Sequence, residues 1–149
     1  AVVLGERSAR RAAFWQMEWG AVDVRYVREP SQAGESGPAH LQLWIRAESR
    51  LPDDPRVHQM LLAYLSDISL LSVSTVSHPV EFLSPKLQAA SIDHAMWFHR
   101  AVRADEWLLY DQVSPSASGA LGFAQGRLFS RSGIFAASCA QQGLIRLID

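Results

Sequence analysis

The sequence is short of the residues that announce most chemistries. It holds a single cysteine, Cys139, so no internal disulfide can form, and one thiol without a Cys/His cluster makes a poor metal site. A reducing cytoplasm is the expected setting. Lysine is nearly absent too, since thirteen arginines and Lys86 carry all the basic charge. The net charge of −1 gives no field to draw in nucleic acid or an anionic membrane, so an anionic ligand must be met by local arginines. No apolar run approaches the ~20 residues that span a bilayer. The opening AVVLGERSARR puts its charges after its apolar part, unlike a signal peptide. G-x-S-x-G, Walker A, G-x-G-x-x-G and H-E-x-x-H patterns are all missing, which removes serine-hydrolase, nucleotidase, dehydrogenase and zinc-protease readings. The first residue is Ala rather than Met, as in a trimmed or processed chain or a fragment.

What is present suffices for one domain: 149 residues, 48% hydrophobic and 19% charged. Residues 1–20 mix Arg7, Arg10 and Arg11 with Phe14, Trp15 and Trp19 and read as a linker or docking segment before a domain at 21–149. Val22, Val24 and Tyr26, then Leu41, Leu43 and Ile45, alternate with polar or outward residues at the strand period, with the loop EPSQAGESGPA between them. Asp53 or Asp54 can cap a helix starting near Pro55. Val57, Met60, Leu61, Tyr64, Leu65, Ile68 and Leu71 give that helix a broad apolar face running toward Ser72. Three more strand-like segments follow, at about 90–100, 106–114 and 120–147, the last divided by a turn at Arg131-Ser132-Gly133 into a fourth strand. Two strands, one long helix and then consecutive strands predict an α+β domain, an antiparallel sheet wrapped around one central helix.

Two polar residues stand where apolar ones belong. On a helical wheel Asp67 lies about 20° from Met60 and about 40° from Leu71, which predicts a buried carboxylate that must find donors or shift its pKa upward. Gln141 shares strand parity with Ala137, Cys139 and Ile145 as well as Phe135, so it points inward while Gln142 points out. A buried amide is tied into a network or kept for a ligand. Ser91 shares parity with Asp93 and Trp97, opposite Ile92, Met96 and Phe98. His94 and His99 fall on opposite faces and cannot share a metal, and Asp93 and His94 diverge, leaving them support roles.

The segments Ala90-Ser-Ile-Asp-His-Ala-Met-Trp-Phe-His-Arg100, Asp105-Glu-Trp-Leu-Leu-Tyr110, Ser114-Pro-Ser-Ala-Ser-Gly119 and Ala140-Gln-Gln-Gly-Leu-Ile-Arg146 together resemble the C-terminal half of bacterial type II (TesB-like) acyl-CoA thioesterases. The similarity reaches upstream through Leu62-Ala-Tyr-Leu-Ser-Asp67 and covers roughly residues 35–147. It departs at Ala101, where the family usually has proline, and residues 1–20 do not resemble an N-terminal half. The resemblance implies a hot-dog fold that is half of a double hot-dog. It also implies catalytic Asp67, Ser91 and Gln141, which hold a water for attack on a fatty acyl-CoA thioester without a cofactor, a metal or an acyl-enzyme. Arg100, Arg103 and Arg127, with Arg131, are candidates for the CoA phosphates because guanidinium forks suit phosphate oxygens. An N-terminal hot-dog half, as a separate or missing chain, or a second copy in a homo-oligomer would complete the site. Its helix start is where an oxyanion donor is expected. Two other readings stay open: a non-catalytic acyl-binding or assembly module, and a hydroxyacyl-CoA dehydratase using His94 or His99.

Overall fold

The computed structural model describes residues 20–27 and 39–148. The segment read as a linker or docking arm therefore lies outside the described residues except for Gly20, as does most of the loop before Ala39. Among the described residues seven strands form one antiparallel sheet: β1 (Val22–Tyr26), β2 (Ala39–Ala47), β3 (Leu87–Ser91), β4 (Ala95–Phe98), β5 (Leu108–Ser118), β6 (Leu121–Ser130) and β7 (Phe135–Leu147). The spatial order is β1-β2-β5-β6-β7-β3, with β4 also on β7. The helix α1 (Pro55–Asp67) packs on one face, the expected hot-dog layout. No helix among the described residues is long and apolar enough to cross a membrane.

Strict alternation builds the inner wall. Along β2 the burial pattern alternates residue by residue, with Leu41, Leu43 and Ile45 inside. On β5 Leu108 and Tyr110 and on β6 Ala124 and Leu128 continue that wall. Against it α1 sets Leu62 and Leu65, which are 2% and 0% exposed and contribute about 2 kcal/mol each by burial. The segment at 106–114 runs on through Pro115 to Ser118, because a register shift between Val113 and Ser116 absorbs a proline that has no N–H to pair.

The helix corrects two expectations. Its buried residues are His58, Leu62, Leu65 and Ser66, whereas Met60 and Tyr64 are 65% and 47% exposed. The helix is apolar on both sides, and one sheet can cover only one of them. It also stops at Asp67 rather than near Ser72, and a 3-10 turn follows at Leu71–Thr75. Hydroxyls accompany this change of pitch: Ser66, Ser72 and Thr75 each donate to the carbonyl three residues back, at 2.8, 2.6 and 2.9 Å. Bonds of that span favour the tighter helix over the i−4 ladder. The start is as read, with Asp54 accepting from Arg56 N at 2.9 Å and Pro55 in the first turn.

Tyr110 ties the sheet to the helix end. Its ring is fully buried, and its hydroxyl donates to the Ser66 carbonyl at 2.5 Å. The space for that ring is vacated by Gly126, where a Cβ would lie 2.5 Å from Tyr110 Cε2 and 2.7 Å from Cys139 Sγ. A ring anchored at its tip cannot give way. Gly126→Ala is expected to cost about 1–3 kcal/mol, read as a lower urea midpoint at unchanged m-value; an unchanged midpoint would show that the ring is free to move.

Candidate active site

Three elements converge at the C-terminal end of α1. Gln141 projects from the middle of β7 and is 1% exposed. Its Nε2 donates to Asp67 Oδ1 at 2.5 Å and to Ser91 Oγ at 3.0 Å. The amide can sit only this way round, since a flip would set Oε1 against the carboxylate. Both amide hydrogens are thereby used, and Gln141 Oε1 is buried with no partner among the described residues.

The Asp67 side chain is 56% exposed, not buried as its wheel position predicted. The wheel placed it correctly beside Met60, but Met60 lies on the uncovered side of the helix. Its Oδ1 is held by Gln141 and lies 3.7 Å from His94 Nδ1. Oδ2 accepts no hydrogen bond among the described residues, so one carboxylate oxygen is anchored and the other remains available.

Ser91 reaches Gln141 through a fault in the edge strand. β3 ends with Ser91 opposite Gly143, and β4 resumes with Ala95 opposite Ala140. Residues 92–94 thus face only 141 and 142, which is a β-bulge, and it shifts inward-outward parity by one. Simple alternation put Ser91 with Trp97; the bulge lets Ser91, His94 and Met96 all turn toward α1. Ile92 N and Asp93 N both donate to Gln142 O at 2.9 and 3.3 Å, and Asp93 Oδ1 accepts from Gln142 N at 2.7 Å. The support role read for Asp93 is this clamp. Gly143 admits the edge, because a Cβ there would strike Leu71 at 2.6 Å and Ala90 O at 3.0 Å.

The other candidate groups lie elsewhere. His99 bonds Ser138 Oγ at 2.9 Å and lies tilted against Phe135, ring centroids 4.5 Å apart. Phe135 itself sits against Phe129 on the outer face, contrary to its parity, because the β6–β7 register shifts between Leu128 and Phe129. Cys139 is buried beside the Tyr110 hydroxyl, 3.2 Å away, and burial pushes its thiol up, which rules it out as a thiolate nucleophile at neutral pH. No group of three His, Cys, Asp or Glu side chains among the described residues could hold a metal.

Comparison with known proteins gives the family. The chain matches the acyl-CoA thioesterase family over residues 12–144. It belongs to that family. Mouse acyl-coenzyme A thioesterase 8 is 41% identical over 128 residues, covering 85% of this chain and 39% of the mouse protein. The crystal structure of an acyl-CoA thioesterase II TesB2 from Mycobacterium marinum is 44% identical with a TM-score of 0.79, over 89% of this chain and 52% of that one. A hot-dog protein of unknown function from Alicyclobacillus acidocaldarius, at 17% identity and a TM-score of 0.66, shares the fold over 87% of this chain and 47% of its own. This thioesterase-family chain therefore spans about half the length of such relatives.

The arginines are not gathered round the three polar groups. Arg103 is taken up by Asp53, by Asp105 and by the Leu51 carbonyl, and beside it the Asp105 carboxyl is held below the usual carboxylate range. It also adjoins Ala104, whose N–H meets His58 Nδ1 at 3.1 Å, about 14 Å along the helix axis from Asp67. Arg127 pairs with Asp111 at 2.5 Å on the outer face. Neither is a free cation. The Arg100 guanidinium, exposed after β4, donates a long 3.3 Å bond to Phe135 O, and Arg131 is exposed in the β6–β7 turn.

Sequence reasoning missed the Ser66–His94 hydrogen bond of 2.8 Å. The signal was the polar pair Asp93-His94 interrupting apolar strand residues, which marks a bulge. If Gln141 is held for the sake of Asp67 and Ser91 rather than for the fold, replacing it with an isosteric apolar residue removes a buried orphan acceptor at little cost. Gln141→Met is expected to keep the thermal midpoint or raise it; a loss above about 2 kcal/mol would make the amide a structural tie.

Proposed function

We propose that the chain is the C-terminal hot-dog half of a thioesterase that hydrolyses fatty acyl-CoA to free acid and CoA. The observation that carries the reading is the pair of Gln141 hydrogen bonds, which hold an acid and a hydroxyl side by side at 2.5 and 3.0 Å from one nitrogen. A thioester carbonyl is already electrophilic, so the reaction needs chiefly an aimed water, a base and oxyanion stabilisation. No metal or prosthetic group enters the scheme.

Asp67 accepts the proton as the water oxygen bonds to the thioester carbon. The tetrahedral oxyanion then collapses, the C–S bond breaks, and the CoA thiolate recovers a proton from Asp67. Because both Gln141 hydrogens are engaged, the water is met by Asp67 Oδ2 and the Ser91 hydroxyl, with Gln141 holding those two in register. Ser91 orients the water and forms no acyl-enzyme. The oxyanion is met by a backbone N–H at the start of a helix in the facing half, where the helix field favours negative charge.

That facing half is an N-terminal hot-dog or a second copy of this chain, seated on the exposed side of α1 around Met60 and Asp67. Covering the stripe would dry the carboxylate and strengthen its electrostatics. Arg100 is retained as the candidate for a CoA phosphate; Arg103 and Arg127 already have carboxylate partners. A reducing cytoplasm suits the buried free thiol of Cys139.

The test is CoA release from medium- and long-chain acyl-CoA, read by free-thiol detection, for the chain alone and with its N-terminal half. Asp67→Asn is expected to lower turnover by about 10²–10⁴-fold, the usual contribution of a general base. Mutant-insensitive turnover would contradict the assignment, and no turnover in either assembly would favour a non-catalytic acyl-binding module.

A further inference from the structure

Asp67 is the last residue of α1, where the regular i−4 ladder ends ahead of the 3-10 turn. A base in that position needs an outside hold, and residue 66 supplies it. Ser66 is fully buried; its carbonyl accepts from Tyr110 at 2.5 Å, and its Oγ meets both Ala63 O and His94 Nε2 at 2.8 Å. A hydroxyl has one hydrogen. Two oxygens at 2.8 Å require it between them, so Ser66 donates to Ala63 and the imidazole must donate to Ser66. His94 Nε2 therefore carries a hydrogen, and Nδ1 lies 3.7 Å from Asp67 Oδ1.

The ring is itself fixed from behind. His94 closes the bulge that the Asp93 carboxylate and two backbone N–H groups tie to Gln142, the neighbour of Gln141. One rung of β7 thus carries both the amide that holds Asp67 Oδ1 and the loop whose imidazole holds the turn below it. The His94 side chain is 22% exposed, so it stands at the rim of the site rather than in the core.

We propose that His94 is a positioning residue: its Nε2–H clamps Ser66 and so aims the Asp67 carboxylate at the water shared with Ser91. This rests on the hydrolase reading of Asp67. A misplacement of about 1 Å can cost 10²-fold in rate, so His94→Ala is expected to lower kcat by about 10–100-fold with KM changed less than about 3-fold. His94→Gln, which can return an N–H near the Nε2 position, is expected to recover most of the loss, whereas the shorter His94→Asn is not. Ser66→Ala should reproduce His94→Ala, with the double variant no worse than either, as for groups acting in one chain.

The variants are compared with Asp67→Asn in the assembly with the N-terminal half, alongside ¹⁵N spectra of the imidazole in the chain itself. An Nε2–H tautomer together with the kcat loss and the glutamine rescue supports the clamp. If Asp67→Asn abolishes turnover but His94→Ala stays within twofold of wild type, or the ring is an Nδ1–H tautomer, the clamp is overturned and the hydrolase reading stands. If turnover is absent, or survives Asp67→Asn, both are overturned.

Discussion

Gln141 carries two amide hydrogens, and both are committed from a position inside the sheet to groups that stand at its surface. A hydrogen bond to a carboxylate contributes about 1.5–3 kcal/mol, and a buried acceptor left without a partner costs about 1–3 kcal/mol. The bonds to Asp67 and Ser91 and the orphaned Oε1 therefore come close to cancelling. The arrangement adds little to the stability of the fold. What it adds is geometry: the end of a helix and the end of a strand are brought to one nitrogen, and neither element could hold its terminal residue there alone.

The rest of the fold serves that meeting point. Gly126 makes room for the Tyr110 ring, Tyr110 fixes the Ser66 carbonyl, and Asp67 follows immediately. On the other side the edge strand is broken at Ile92–His94 so that Ser91 and His94 both turn toward the helix. Gly143 lets that edge lie close to Leu71. The site occupies the border between the covered and uncovered sides of α1, with Met60 and Tyr64 exposed along the same stripe as Asp67.

The sheet was legible in the sequence wherever one face is buried and the other is not. β2 alternates as read, and Gln141 could be placed inside from parity alone because β7 runs regularly through Ala137, Cys139 and Gln141. Parity failed at Phe135 and at Ser91 for a common reason: a bulge is a property of the pairing between two strands and leaves only a faint trace in either one. The helix was legible in its start and obscure in its end. Its capping Asp54 and Pro55 are local signals, whereas the change to a 3-10 turn comes with hydroxyls bonding backward against the helical ladder. The wheel set Asp67 beside Met60 correctly but could not say which side the sheet covers. Arg103 and Arg127 read as candidates for CoA phosphates, but Asp53 and Asp111 reach them only through the fold, and Asp105, two residues from Arg103, closes the first of these pairings from nearby.

Direct attack by a water held between Asp67 and Ser91 leaves a mark that a route through an Asp67 acyl anhydride, opened by water at the Asp67 carbon, does not. The measurement that separates them is a single turnover of acyl-CoA in H₂¹⁸O with enzyme in excess, followed by mass analysis of the fatty acid and of the peptide containing Asp67. Water attack predicts one ¹⁸O in the acid from the first turnover and an unlabelled Asp67. Unlabelled acid in the first turnover, with ¹⁸O appearing in Asp67, would mean that the carboxylate is the nucleophile and would contradict the positioned-water mechanism.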